Sequence, residues 1–156
     1  MEGQRKNHLM RDIVLFDLDG TLANISHRRH LVENGAKQWR EFYAACPGDT
    51  VNEPVVAMWH ALGEWGDYDR WIVSGRSDEV KSETILWLAE NGIYPDKLIM
   101  RQANDHQPDD KLKRQWLNDG TIPKDRVLCV FDDRTKVVNM WREEGLTCFQ
   151  VAPGDF

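Results

Sequence analysis

The stretch Ile13-Val14-Leu15-Phe16-Asp17-Leu18-Asp19-Gly20-Thr21 decides how the rest of the chain is read. Its four consecutive apolar residues have the length and pattern of a strand buried on both faces. The run stops at an acid, a second acid follows two residues on, and Gly-Thr turns the chain. Two carboxylates beside the amide N–H groups of a glycine turn let a phosphate approach closely. Taken alone, Asp-Gly is equally an ordinary turn dipeptide ending a strand.

Working outward, comparable apolar runs occur at Trp71-Ile72-Val73, Leu98-Ile99-Met100, Val127-Leu128-Cys129-Val130-Phe131 and Cys148-Phe149-Gln150-Val151. Helix-period segments separate them. Asn52 caps a predicted helix with Pro54 in its first turn and Val55, Trp59 and Leu62 on one face. Ser77 caps the next, with Val80, Thr84, Trp87 and Leu88 aligned before Gly92. Asp109 and Asp110 open a third, with Leu112 and Trp116 inward. The last runs from about Thr135 to Glu144 and buries Val137 and Trp141. Strands alternating with helices predict an α/β fold with a parallel sheet covered on both faces. Residues 24 to about 50 interrupt the alternation and have no predicted strand. Trp39, Phe42 and Tyr43 stand there at i, i+3 and i+4, which predicts a helical insert beside the carboxyl edge of the sheet, its aromatics expected to pack in the core, with stacking on a nucleobase as the alternative use.

A formal net charge of −6 argues against broad adhesion to a nucleic-acid backbone, though not against a local basic pocket for one terminal phosphate. Cys46, Cys129 and Cys148 lack metal or disulfide spacing and read as thiols of a reduced protein. No apolar stretch approaches the roughly 20 residues that span a bilayer. Residues 1–10 are polar, with no hydrophobic signal core, and are expected to form a disordered tail before one domain over 11–156. A cytoplasmic location is expected.

Phe131-Asp132-Asp133 repeats the opening arrangement, an apolar strand running into two acids. Strand ends of one polarity share one edge of a parallel sheet, so Asp17, Asp19, Asp132 and Asp133 are expected to converge. Such a cluster repels itself unless a hard cation sits among the oxygens, and Mg²⁺ suits that donor set. Ile72-Val73-Ser74-Gly75-Arg76 delivers a hydroxyl and a guanidinium to the same edge, both suited to phosphoryl oxygens. Asp109 and Lys113 are either a helix-surface pair at i, i+4 or, for Lys113, a cation at the reacting phosphoryl group.

In this order the four segments resemble the haloacid dehalogenase-type phosphohydrolases: Asp17-x-Asp19-Gly20-Thr21, then Ser74, Lys113 and Asp132-Asp133. A closer resemblance rests on Asp132-Asp133-Arg134-Thr135, Val137-Val138-x-Met140-Trp141-Arg142 and Gln150-Val151-Ala152-x-Gly154-Asp155-Phe156. These are similar to the phosphatase half of bacteriophage polynucleotide kinase/3′-phosphatases. That family has an Arg eleven residues after the nucleophile (Arg28), an Arg after the Ser-Gly pair (Arg76) and an acid four before the motif Lys (Asp109). Family spacing also selects Lys113 over Lys111. No G-x-x-x-x-G-K-[ST] kinase loop occurs in these 156 residues.

The resemblance implies a Rossmannoid three-layer sandwich with a small helical cap over about 24–50. It implies Asp17 as nucleophile and Asp19 as acid–base, aided by Ser74 and Lys113. Thr21, Arg28, Arg76 and Asp109 are expected to contact substrate, and Asp17, Asp19 (through its backbone carbonyl), Asp132 and Asp133 to hold Mg²⁺. The substrate expected is a phosphorylated nucleic-acid end or nucleotide. A nucleotidase or small-molecule phosphatase is the alternative within the same chemistry, and a non-catalytic phosphate-binding module the alternative of another class.

Overall fold

The opening run forms the central strand of the molecule. The computed structural model describes residues 11–156, so the predicted tail lies outside the described residues. Strand β1 (Asp12–Phe16) is followed by β2 (Ala23–Asn24), α1 (Trp39–Ala44), β3 (Thr50–Val51) and α2 (Glu53–Trp65). Then come β4 (Tyr68–Ser77), α3 (Lys81–Glu90), β5 (Lys97–Arg101), α4 (Asp109–Asn118), β6 (Val127–Asp132), α5 (Thr135–Glu143) and β7 (Cys148–Gln150). Five strands make one parallel sheet in the order β5-β4-β1-β6-β7.

Alternation along β1 divides the core. Ile13 and Leu15 face one side, with Leu112, Trp116, Val137 and Trp141 of α4 and α5. Val14 and Phe16 face the other, with Val55, Trp59, Trp87 and Leu88 of α2 and α3 and Phe42 of the insert. All four β1 residues are fully buried, as expected of a strand covered by helices on both faces. Helices therefore sandwich the sheet, in the layering expected.

The chain winds outward from β1 to β4 and β5, then returns to β6 on the opposite side of β1. Strand order reverses between β1 and β6, and open α/β sheets bind ligands in the crevice at such a point. This places Asp17 and Asp132 at the mouth of that crevice.

Three local features depart from the sequence reading. β4 extends well beyond Trp71–Val73, running through Ser74-Gly75-Arg76 to Ser77, and its register against β5 shifts between Ser74 and Ser77. The insert carries strand at both ends, because β2 and β3 pair antiparallel; two-residue strands are too short to show periodicity. Asn52 precedes α2 without a side-chain cap, and its Nδ2 instead donates to the Thr21 carbonyl at 2.9 Å. That bond ties the end of the insert to the acidic loop. Ser77 accepts from the Glu79 N–H at 3.3 Å, but it caps the 3-10 turn Asp78–Val80 that leads into α3, and α3 itself starts after Val80 with no side-chain cap.

Phe16 is fixed from two sides: Trp59 meets it edge-on at 4.9 Å between centroids, and Phe131 stacks on it at 4.7 Å. Trp59→Ala should remove the wedge that holds α2 against β1 beneath the acidic loop. The expected loss in urea unfolding is about 3–5 kcal/mol, the usual cost of emptying a fully buried tryptophan site.

Candidate active site

The Asp17 N–H donates to the Phe131 carbonyl at 2.9 Å, continuing the ladder between β1 and β6 past its last paired residue. Asp17 and Asp132 are thereby side by side. With Asp133 they form a buried trio offering oxygens within 4.8 Å of one another. Lys113 lies in the midst of it, its Nζ donating to Asp17 Oδ1 at 2.8 Å and to Asp132 Oδ2 at 3.2 Å. Lys113 is buried, which excludes a helix-surface pair with Asp109, and Lys111 is exposed.

Three carboxylates around one ammonium leave the cluster short of positive charge. Burial, then Asp132, push the Asp17 carboxyl well above its ordinary value, and Lys113 offsets only part of this. Burial and Asp132 push Asp133 up to about 6. Burial opposes the charge on Lys113, but Asp132 and Asp17 outweigh it and hold the proton more firmly. Oxygen donors with unbalanced negative charge fit a hard divalent cation. The two members of the acidic pair are not equivalent. Asp132 Oδ1 accepts from the N–H groups of Asp133 and Arg134, and its Oδ2 from Lys113 and from Trp141 Nε1 at 3.1 Å. Asp133 accepts from Thr21 Oγ1 at a long 3.4 Å, so its lone pairs are the more available.

Asp19 belongs to a different knot. Its Oδ1 accepts from Arg28 Nη2 at 2.8 Å and from Arg76 Nη2. Both guanidiniums also hold Asp49: Arg28 through Nε and Nη2, each at 2.7 Å, and Arg76 at 3.2 Å. Burial alone would raise the Asp19 carboxyl, yet Arg76 and Arg28 outweigh it and hold the group below the ordinary carboxylate range. Oδ2 has no protein hydrogen bond among the described residues, and Asp19 lines a cavity of about 440 Å³ with Asp17, Lys113, Asp132, Asp133, Arg76 and Asp109.

The family model of the polynucleotide kinase PNKP phosphatase domain matches residues 11–156. The chain belongs to that family. One solved relative is the Pnkp1/Rnl/Hen1 complex, 32% identical with a TM-score of 0.79, matched over 96% of this chain and 49% of that one. An Autographa californica nuclear polyhedrosis virus protein, provisionally named a bifunctional polynucleotide kinase/RNA ligase, is 31% identical over 83% of this chain and 18% of its own length. The phosphatase domain described here thus spans about half of the first relative and under a fifth of the second. A haloacid dehalogenase-like hydrolase from Streptococcus pneumoniae shares the fold at 13% identity, with a TM-score of 0.63 over 91% of this chain and 85% of that one.

In this phosphatase domain of polynucleotide kinase type, the structure brings Asp17, Asp19, Lys113, Asp132, Asp133, Arg76 and Asp109 to one cavity. Three expected site residues do not line it. Arg28 is fully buried and bonded to Asp19, Asp49 and the Phe42 carbonyl. Ser74 accepts the Arg76 N–H at 3.1 Å, and Thr21 donates to Asp17 Oδ2 at 3.1 Å. Asp109 has its carboxylate engaged, by Arg101 at 2.6 Å and Arg134 at 3.2 Å. The Asp19 side chain is outside the buried trio, so only its backbone carbonyl is left as the metal donor expected from sequence.

Sequence reading missed Asp49, Arg101 and the Trp141–Asp132 bond. Asp49 sits in Pro47-Gly48-Asp49-Thr50, which carries only a turn signal, and its charge partners lie 21 and 27 residues away. Trp141 was legible as core, whereas its indole N–H aimed at Asp132 was not.

Gly20 adopts φ +81°, and a Cβ there would collide with the Asp133 carboxylate. Gly20→Ala should therefore lower stability by about 1–3 kcal/mol through backbone strain and displacement of Asp133. Urea unfolding of the two proteins side by side is the measurement.

Proposed function

We propose that this domain hydrolyses phosphomonoesters through an aspartyl-phosphate on Asp17, with Mg²⁺ as cofactor and the 3′-phosphate of a nucleic-acid end as substrate. The observation that carries the reading is the pair of oppositely prepared carboxylates, Asp17 in the acidic trio with Lys113, and Asp19 bound by two arginines. Lys113 sets a cation against the Asp17 oxygen, and the two arginines hold one oxygen of Asp19 and leave the other to the cavity.

An Asp17 oxygen forms a bond to phosphorus as the bond from phosphorus to the sugar oxygen breaks. Asp19, kept ionised by Arg76 and Arg28, passes to that leaving oxygen the proton that the phosphomonoester monoanion carries. In the second half Asp19 takes a proton from water, whose oxygen displaces Asp17 and releases inorganic phosphate. Arg28 and Arg76 both grip Oδ1 of Asp19, so Oδ2, on the cavity side, is assigned to proton transfer. On this reading Arg28 orients the acid–base group and does not touch substrate. Lys113 neutralises charge on Asp17 and the phosphoryl group. Ser74 steadies the irregular end of β4 that carries Arg76, and Thr21 orients Asp17.

Asp17 and Asp133 would hold the metal directly, with the Asp19 carbonyl, while Asp132, its oxygens already taken, would orient Lys113 and the strand end. When bound, the cation offsets charge on the phosphoryl oxygens. The choice of a nucleic-acid end follows from membership of a family that includes polynucleotide kinase phosphatase domains and from likeness to a solved Pnkp1/Rnl/Hen1 complex. With a net charge of −6, only the terminal nucleotides are held.

Asp17→Asn should lower phosphate release by roughly 10³-fold or more on every substrate, with unchanged circular dichroism. Turnover near wild type, shown not to arise by deamidation, would end the nucleophile assignment. Chelation should abolish activity and added Mg²⁺ should restore it. Specificity is read by comparing a 3′-phosphorylated oligonucleotide with 3′- and 5′-mononucleotides; equal rates on all three would favour a general nucleotidase. Arg28→Ala should slow a small phosphate ester and an oligonucleotide by similar factors, on the order of 10²–10⁴ for an acid–base group out of place. Loss confined to the oligonucleotide would show instead that Arg28 contacts substrate.

A further inference from the structure

The insert between β1 and α2 supplies the cavity with more than the arginine that reaches Asp19. Trp39, the first residue of α1, was expected in the core with Phe42 and Tyr43, yet it is 44% exposed whereas Phe42 is buried. The reason is that α1 has only six residues, so its first side chain lies at the rim where no further turn covers it.

Exposed as it is, the Trp39 ring is held in place. Phe42 meets it edge-on at 5.7 Å and Tyr43 lies tilted beside it at 6.0 Å. Phe42 is itself covered by the Arg28 guanidinium, 4.2 Å from its centroid. The exposed indole is therefore built onto the knot that fixes Asp19. Trp39 and Tyr43 line the same cavity as the acidic trio and Asp19.

That cavity, about 440 Å³, is in the range of pockets that enclose whole small molecules. The acids and Lys113 line the cavity, and Ile25, Val32 and Trp39 add an apolar flank. A large aromatic left open on such a flank gains contact when a flat ring covers it. The other partly exposed aromatics of the lining are already occupied: Phe156 has Arg29 at 4.2 Å and Arg134 at 5.5 Å from its ring, and Tyr43 lies against Trp39 and Phe42 and donates its hydroxyl to the Gly75 carbonyl. Trp39 is the platform that remains.

We propose that Trp39 stacks on the base of the nucleotide that carries the phosphate. Every base presents a π face, so the contact selects nucleotide ends over other phosphate esters while tolerating any sequence. The inference rests on the nucleic-acid-end reading, and its test keeps the two apart. Phosphate release is measured with Mg²⁺ from an oligonucleotide ending in a 3′-phosphate, from the same oligonucleotide with a tetrahydrofuran abasic analogue as its last nucleotide, and from glycerol phosphate. Wild type should favour the base-bearing end over the abasic end in kcat/KM by roughly 5- to 150-fold, the range for one stacked base. Trp39→Ala should bring that ratio close to one, and Trp39→Phe should keep most of it. A ratio near one in wild type, or one unchanged by Trp39→Ala, overturns the stacking role and leaves the phosphatase reading intact. Wild-type turnover of glycerol phosphate but of neither oligonucleotide overturns the nucleic-acid-end reading, and the stacking role falls with it.

Discussion

Two neighbouring parallel strands that both end in acids impose the constraint around which this molecule is organised. The ladder between β1 and β6 continues into the Asp17 N–H, so Asp17 and Asp132 have no freedom to move apart. Buried carboxylates at that spacing raise one another's proton affinity unless cations are supplied. Lys113 supplies one from α4, and Trp141 adds an N–H from α5. The two helices on that face of the sheet are thus committed to the site as well as to the core.

The other face contributes through the insert. Arg28 and Asp49 both lie in the segment between β2 and β3, and both are buried. Paired with Asp19 and with Arg76 of β4, they form a balanced group of two guanidiniums and two carboxylates. Breaking one member of such a group leaves an uncompensated buried charge, which is far costlier than never having built it. The knot therefore acts as a single unit. It joins the insert to the sheet edge, fixes one oxygen of Asp19 and backs the aromatic cluster of α1.

Close approach of backbone to side chain completes the arrangement. Gly20 leaves room for the Asp133 carboxylate, and Gly75 leaves room for that of Asp109. Gly154 packs on the Asp133 backbone, where the Thr135 N–H also reaches the Gly154 carbonyl at 2.9 Å. The glycines of the Asp-Gly, Ser-Gly and Gly-Asp-Phe segments are accordingly places where the site closes on itself.

Sequence alone determined the strand-helix alternation, the shared edge of Asp17, Asp132 and Asp133, and the arrival of Ser74 and Arg76 beside them. Each follows from local rules, namely periodicity, turn chemistry and the common polarity of parallel strands. Lys113 was equally readable as a surface partner of Asp109 until its burial excluded that. Only tertiary structure decided that Asp49 clamps Arg28 and Arg76, that Arg28 serves Asp19 from outside the cavity, and that Asp132 is saturated while Asp133 is not. It alone showed Trp39 open at the rim. These are contacts between residues far apart in the chain, and packing of that kind leaves no period or spacing to read.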